Sequence, residues 1–505
     1  EFRRVLFRSQ VVYNCEDNLA AAGLLLPKMG LYLKTLVCVI SIGLVLLGIG
    51  MVDRRYERAI REGRVAFDPL RVVRGEYHAF MLLSLAGTML VANANDLIWL
   101  FLAIELSSLP TYVMVALGRG TRRNLEAGIK YFFLGAMSSA MFLYGFALLY
   151  GATGTLTLTE MSSIFQTQAA GEGIPLFGIL GMVLAIVGLC FKITAVPMHF
   201  YAPDVYQGAP TPVTAYISFV PKVAGFAAII LLCSALGWQG HHMIDDAGVK
   251  MPVEGLPQAV HATLWVVAVL TLILGNVGAL LQKSVKRMLA YSSIANSGVM
   301  LVGVVAGTAG GIDAVMLFLA TYGVATIAIF GALAALERQG REIDSFEDLG
   351  GLWKHHSGLA TMLALGGFSL VGLPPLLGFW GKFDVVVASI SAGEVTLAVV
   401  LMAASAISSY YYLQLAGIPV VQKADARSEG VVAIKAPWPR VAAMVFGVGI
   451  LLVPIGTREL MSAAESSTRG SWLEPAGEAA DAEPTSDETT AARTPDPDTK
   501  QDPRG

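Results

Sequence analysis

The sequence predicts an all-α polytopic membrane protein with about twelve transmembrane helices, and three observations carry that prediction. Of 505 residues, 55% are hydrophobic and only 14% are charged, against roughly a quarter charged in a soluble domain. Uncharged apolar runs recur at spanning length, about 20 residues for a hydrocarbon core. Basic residues gather in alternate loops. Only helices or closed barrels satisfy their backbone in lipid, and these runs are too long and too continuously apolar for barrel strands. The bilayer is therefore the implied surrounding. The net charge of −3 argues against nucleic acid as a partner.

The spans fall at about residues 30–51, 77–93, 95–117, 124–150, 174–196, 212–236, 260–281, 286–307, 311–336, 357–390, 394–417 and 435–457. The loop after the first, "DRRYERAIREGRVAFDPLRVVRG", holds seven arginines, and "GRGTRRN" holds three. "QKSVKR", "ERQGREIDSFEDLGGLWKHH" and "QKADARSEGVVAIKAPWPR" follow on the same side. The intervening loops are nearly free of Lys and Arg: "GATGTLTLTEMSSIFQTQAAGEGIP" has none. By the positive-inside rule the basic loops are cytoplasmic, which places both termini outside. Segment 357–390 is too long for one plain crossing and contains "GLPPLLGFWGKF", so it reads as a broken helix. Residues 1–28, with "EFRRVLFRSQ" at their start, fit neither a signal peptide nor a span and read as an atypical segment, an artefact or a truncation. The transmembrane domain is 29–457. Residues 458–505, rich in Pro, Ala, Asp, Glu and Thr, read as a disordered acidic tail.

No cofactor or metal site is expected on this chain. Cys15, Cys38, Cys190 and Cys233 lie far apart, no Cys/His cluster has ligand spacing, and neither a P-loop nor a GxGxxG after a strand is present. Any redox or nucleotide chemistry belongs to other subunits.

The chemistry-bearing residues are charges inside apolar spans, where ionisable groups default to functional hypotheses. Glu105 lies in "LIWLFLAIELSSLPTYVMVAL", Lys192 near the end of "GIPLFGILGMVLAIVGLCFK", Lys222 in "YISFVPKVAGFAAIILL" and Lys382 in "GLPPLLGFWGKFDVVVASI". Lys130, in "NLEAGIKYFFLGAM", is a fifth candidate, close enough to a helix end to snorkel instead. Lys283, Lys286 and Arg287 read as interfacial anchors. The bland reading of the three deep lysines is static ion pairing, but the spans offer too few acids to neutralise all of them. Burial favours the neutral form of an amine, which suits a group that loads and unloads a proton. Pro197 and Pro374 interrupt apolar segments, and a mid-helix proline removes a backbone bond. Broken helices at corresponding places in two halves are a transporter feature, so the two breaks point to an internal repeat. The match is imperfect, since Lys192 precedes its proline and Lys382 follows. His199 sits just past the first break, and Tyr291, Ser292, Asn296 and Tyr322 put polar groups inside apolar spans. These five could hold a relay between titrating residues, or simply pack helices.

"ANANDLIWLFLAIELSSLPTYVMVAL", "EAGIKYFFLGAMSSAMFLYG", "FKITAVPMHFYAPDVYQGAPTPV", "KRMLAYSSIANSG" and "GLPPLLGFWGKF", in order over residues 29–457, resemble the antiporter-like subunits of bacterial proton-pumping NADH:quinone oxidoreductase, respiratory complex I. "ELSSLP" and "PDVYQGAP" favour subunit N over its two sister subunits. The resemblance implies an antiporter-like fold of fourteen helices with two inverted five-helix repeats, each holding a discontinuous helix. It implies a translocase subunit of the bacterial inner membrane that moves protons, with NADH, FMN, iron–sulfur clusters and quinone on partner subunits. Other membrane-arm subunits, sister antiporter-like subunits among them, are the implied partners. By motif, Glu105 matches the glutamate of the fifth helix and Lys192 its partner on the first broken helix. Lys222 matches the lysine of the next helix, Lys382 that of the second broken helix, and Lys130 the lysine of "IKY". The departure is at the front, where the sequence reads as lacking the family's first two helices, with "EFRRVLFRSQ" in their place. Two other classes remain open: a cation/proton antiporter subunit of a multi-subunit exchanger, and a structural membrane-arm subunit that does not pump.

Overall fold

The computed structural model describes residues 27–464 except 50–58, 61, 65, 67–74, 117–121, 172, 237–240, 245–249, 254–255, 308–309, 340, 424–427, 435 and 453–459. The expectations for residues 1–28 and 458–505 therefore fall, but for a few positions, outside the described residues. The helices in chain order are α1 (Pro27–Ile49), α2 (Gly75–Val91), α3 (Leu97–Ala116), α4 (Arg122–Thr153), α5 (Leu158–Ala170), α6 (Leu176–Leu189), α7 (Ala202–Gly208), α8 (Thr211–Leu236), α9 (Gln258–Leu280), α10 (Val285–Ala306), α11 (Gly311–Ala334), α12 (Leu352–Val371), α13 (Leu377–Ser391), α14 (Val395–Val421) and α15 (Trp438–Leu452). Each expected span has its counterpart, with α6–α7 and α12–α13 each forming one broken helix. Among the described residues, eight of these helices are long and apolar enough by themselves to cross a membrane.

Local chemistry explains several boundaries. Asp96 starts α3 by accepting from the backbone N–H of Ile98 at 2.8 Å and of Trp99 at 3.0 Å, satisfying donors that have no partner inside the helix. Ser284 caps α10 by accepting from Arg287 N at 3.2 Å. Gly372, at φ 88°, ends α12 in the left-handed region that glycine reaches without cost.

α8 is buried along its whole length, and α10 and α11 nearly so. The other helices surround these three. The outer helices turn Ile129, Phe133, Met137 and Tyr144 of α4, and Val399, Met402, Tyr410 and Leu413 of α14, outward. With lipid as solvent, an apolar rim has no driving force to hide.

Four features depart from the expectations. The span expected at 174–196 ends at Leu189, so Lys192 stands in the non-helical segment 190–201. The "GATGTLTLTE…" stretch expected as plain loop contains α5. The basic loops after α11 and α14 form a small sheet: β3 (Leu336–Arg338) lies between β4 (Arg341–Glu342) and β5 (Val431–Ala433), antiparallel to both. A hairpin of β1 (His241–Ile244) and β2 (Lys250–Val253) fills the α8–α9 loop.

Candidate functional site

A broken helix frees backbone groups that lipid cannot satisfy. At the first break, hydroxyl groups on neighbouring helices and in the break itself take them up. Ser138 of α4 donates to Gly188 O at 2.6 Å, Tyr201 donates to Phe191 O at 2.8 Å, and Ser297 of α10 donates to Ile193 O. Val196 N donates to Thr271 Oγ1 of α9 at 3.1 Å. α8 crosses directly over the segment at Gly225, where an added Cβ would lie 2.6 Å from Ile193 and 3.0 Å from Lys192. The break is thus a packed element whose freed carbonyls at Gly188, Phe191 and Ile193 are all taken up.

Lys192 leaves this break and is 3% exposed. Its Nζ lies 3.7 Å from Glu105 Oε1, donates to Ser108 Oγ, and reaches Tyr112 Oη at 3.5 Å. Glu105 also accepts from Ser139 Oγ at 2.6 Å, and its side chain is 18% exposed. The expected Glu105–Lys192 pair is therefore present, on α3 and the break.

Lys222 is fully buried on α8, one residue after Pro221. It donates to Ser293 O and, at 2.5 Å, to Ser297 Oγ, both on α10. Its Nζ lies 5.2 Å from the Tyr322 ring, the contact of a cation with an aromatic face. Tyr322 donates to Ser293 Oγ at 3.0 Å, and Tyr206 of α7 shares that hydroxyl at 2.9 Å. Ser297 is the link between the first two lysines: it accepts from Lys222 and donates to the carbonyl of Ile193, the neighbour of Lys192.

Lys382 differs from expectation, being only partly buried. It opens on a small cavity lined by Asn276, Asn296, Ser405, Ser408 and Tyr411 among others. Its Nζ donates to Leu370 O at 2.5 Å and Val371 O at 3.2 Å, the last carbonyls of α12. These carry the partial negative charge of a helix C-terminus. The asymmetry in the sequence resolves here: Lys192 starts in its break, and Lys382, beyond its proline, reaches back to its own. α12 and α13 meet closely enough that a Cβ on Gly378 would fall 1.9 Å from Ser369 O.

α10 joins the two halves through "YSSIANS". Ser293 and Ser297 share the face toward α8. Ser292 and Asn296, also four residues apart, face α14, where Ser292 is hydrogen-bonded to Tyr412 Oη at 2.5 Å and Asn296 donates to it at 2.9 Å. Tyr411 donates to Asn276 Oδ1 at 3.0 Å beside the Lys382 cavity. Tyr411, Tyr412 and Asn276 escaped sequence reasoning; the signal was the polar "SSYYY" run inside an apolar helix. Tyr412→Phe removes the hydroxyl that holds Ser292 and Asn296 together, and is expected to lower stability by about 1–3 kcal/mol, since buried polar groups lose their partner. A thermal midpoint equal to wild type removes Tyr412 from this network.

Of the remaining expected residues, His199 is buried in the break beside Phe200, with no hydrogen-bond partner at Nδ1. Tyr291 turns toward α9, where its ring packs over Gly278, away from the Ser292–Asn296 face. Lys130 is not brought into the lysine line. It joins a half-exposed cluster at 2.8 Å from both Glu126 and Asp204, and Asp204 pairs with Arg287 at 2.7 Å. Lys286, expected as an interfacial anchor, is buried and lies 2.6 Å from Glu342. Among the described residues no three His, Cys, Asp or Glu side chains converge as metal ligands.

A buried carboxylate–lysine pair, two further lysines, two broken helices and the polar face of α10 between them define an antiporter-like membrane subunit. The family described as "NADH:quinone oxidoreductase/Mrp antiporter, TM" matches residues 94–244 and 249–408. The NADH-quinone oxidoreductase subunit N of Methylobacterium nodulans is 37% identical over 414 residues, 81% of this chain and 80% of its own length. That of Sphingopyxis alaskensis is 39% identical over 392 residues, 76% of this chain and 77% of its own. The chain belongs to the NADH-quinone oxidoreductase subunit N family. A chain of respiratory complex I from Thermus thermophilus has the same fold at a TM-score of 0.62 and 31% identity, over 86% of this chain and 99% of that one. A chain of the Mrp complex from a Dietzia species, 20% identical with a TM-score of 0.68 over 87% and 84% of the two, shares the fold alone.

Proposed function

We propose that the chain is a proton-translocating membrane-arm subunit of an NADH:quinone oxidoreductase in a bacterial inner membrane, with its basic loops in the cytoplasm. Lys192, held by Glu105, exchanges protons with one side. Lys222 relays charge through Ser297, Ser293 and the Ser292–Asn296–Tyr412 group toward Lys382, which exchanges with the other side. Parting Glu105 from Lys192 removes the counter-charge that favours the protonated amine, so the pair acts as the switch. Electron transfer from NADH through FMN and iron–sulfur clusters to quinone, all on partner subunits, supplies the drive. The other membrane-arm subunits, sister antiporter-like subunits included, are the partners.

The observation that carries this reading is the uneven pairing of the lysines. Lys192 has a carboxylate. Among the described residues, neither Lys222 nor Lys382 has one within ion-pair distance. Static neutralisation does not account for amines solvated only by hydroxyls and carbonyls.

Glu105→Gln keeps the shape and removes the charge. The amine loses the charge that holds its proton, so protons moved per NADH oxidised are expected to fall roughly tenfold. Full pumping by the assembled Glu105→Gln complex sinks the assignment. The alternatives separate in the same preparation. NADH oxidation blocked by quinone-site inhibitors supports the oxidoreductase, whereas sodium-dependent proton exchange alone supports an antiporter. Wild-type stoichiometry after replacement of Lys192, Lys222 and Lys382 together supports a structural subunit.

A further inference from the structure

The loop between α11 and α12 touches three helix ends at once. Glu342, on β4, accepts through Oε2 from Thr211 N at 3.1 Å and Thr211 Oγ1 at 2.8 Å, at the start of α8. The same oxygen lies 2.6 Å from Lys286 Nζ in the first turn of α10, and Lys286 also donates to Ala209 O at 3.0 Å. Two residues on, Asp344 accepts from Gln207 Nε2 of α7 at 2.7 Å and from Ser284 Oγ, the cap of α10. Its carbonyl accepts from Val285 N at 2.7 Å. The α7–α8 linker is therefore gripped from both sides by an ion pair that is largely shielded from water, with side chains 4% and 19% exposed.

α7 is a seven-residue helix with non-helical backbone at each end, so side-chain contacts set its position. Besides the two carboxylates of the loop, these are Asp204 with Lys130 and Arg287, Tyr206 with Ser293, and Asn124 Nδ2 donating to Gly208 O at 2.6 Å. β4 is tied through β3 to β5 in the loop before α15, which gives the grip a rigid backing. The same loop leads into α12, which bends at the non-helical His356 and at its far end holds Lys382 through its last carbonyls.

We propose that Glu342 and Asp344 are positioning residues that clasp α7 and its linker, so that the break carrying Lys192 moves together with the loop feeding the break that holds Lys382. This rests on the proton-translocation reading. Its effect is on coupling between the two halves, through elements whose arrangement both sites share.

The test uses the whole complex in membrane vesicles. Glu342→Gln with Asp344→Asn is expected to raise amide hydrogen exchange in residues 202–211 by roughly tenfold, as a locally loosened unit. Protons pumped per NADH oxidised are expected to fall by roughly threefold or more at unchanged assembly. The conservative variant Glu342→Asp, which keeps the acceptor and the charge, is expected to retain at least half of the wild-type ratio. Unchanged exchange overturns the clasp, and an unchanged ratio overturns its coupling role. A disulfide variant, Gln207→Cys with Asp344→Cys, answers the case in which the first variant does not assemble. Pumping that survives oxidation is the expected result. Pumping lost on oxidation and recovered on reduction means that α7 must part from the loop, which overturns the proposal. Full pumping by Lys192→Ala in the same vesicles defeats the proton-translocation reading instead, and leaves the exchange measurement to judge the clasp.

Discussion

Lys192→Ala is expected to cut proton transfer by the assembled complex by on the order of 10²-fold, the usual worth of a positioned proton-transfer group. The fold should tolerate the change. Glu105 keeps a donor in Ser139 at 2.6 Å and retains some contact with its surroundings at 18% exposure, so its carboxylate is not orphaned. Lys192→Arg gives the sharper contrast. A guanidinium holds its proton throughout the accessible range, so it satisfies Glu105 as an ion pair yet cannot unload. Both variants should therefore assemble and fail to acidify vesicles, as read by a pH-sensitive dye, with assembly checked on native gels. An arginine variant that pumps at the wild-type rate would falsify a titrating role and leave a static pair.

Lys222→Met is expected to separate stability from function most widely. The amine is fully buried and solvated by one carbonyl and one hydroxyl of α10. Methionine fills a similar length without charge. Replacing buried charged groups by apolar ones of like volume is often neutral or stabilising by about 1–4 kcal/mol. The thermal midpoint of the purified complex should hold or rise. Proton transfer should nonetheless fall by on the order of 10²-fold, since the middle of the path loses its titrating group. A variant that lowers the midpoint and pumps normally identifies Lys222 as a structural residue.

Much of this was legible in the sequence, and the misses have a common cause. The spans were readable because hydropathy is a local property, and the two breaks because proline acts on its own backbone. The start of the first break was not. The helix ends at Leu189, eight residues before Pro197, because hydroxyls of Ser138, Tyr201 and Ser297 offer the backbone an alternative to helical bonding there. Lys286 looked like an anchor beside Lys283 and Arg287. It is buried because Glu342, 56 residues away, meets it. Ser292 and Tyr291 are adjacent, yet only Ser292 faces α14. One residue along a helix turns a side chain by about 100°, so the sequence named the polar stretch but not the member that counts.

By itself the sequence determined that this chain is a membrane bundle with four charges in apolar segments, Glu105, Lys192, Lys222 and Lys382, two interrupted helices, and the motifs of its family. Those follow from composition and local backbone chemistry. Which charges meet was decided only by the tertiary structure. Glu105 pairs with Lys192 alone, Lys222 and Lys382 rest on hydroxyls and helix-end carbonyls, and Lys130 joins Asp204 outside the lysine line. The physical reason is reach: an ion pair or hydrogen bond acts over a few ångströms, and only packing of α3, α8, α10 and the two breaks brings residues distant in the chain within that range.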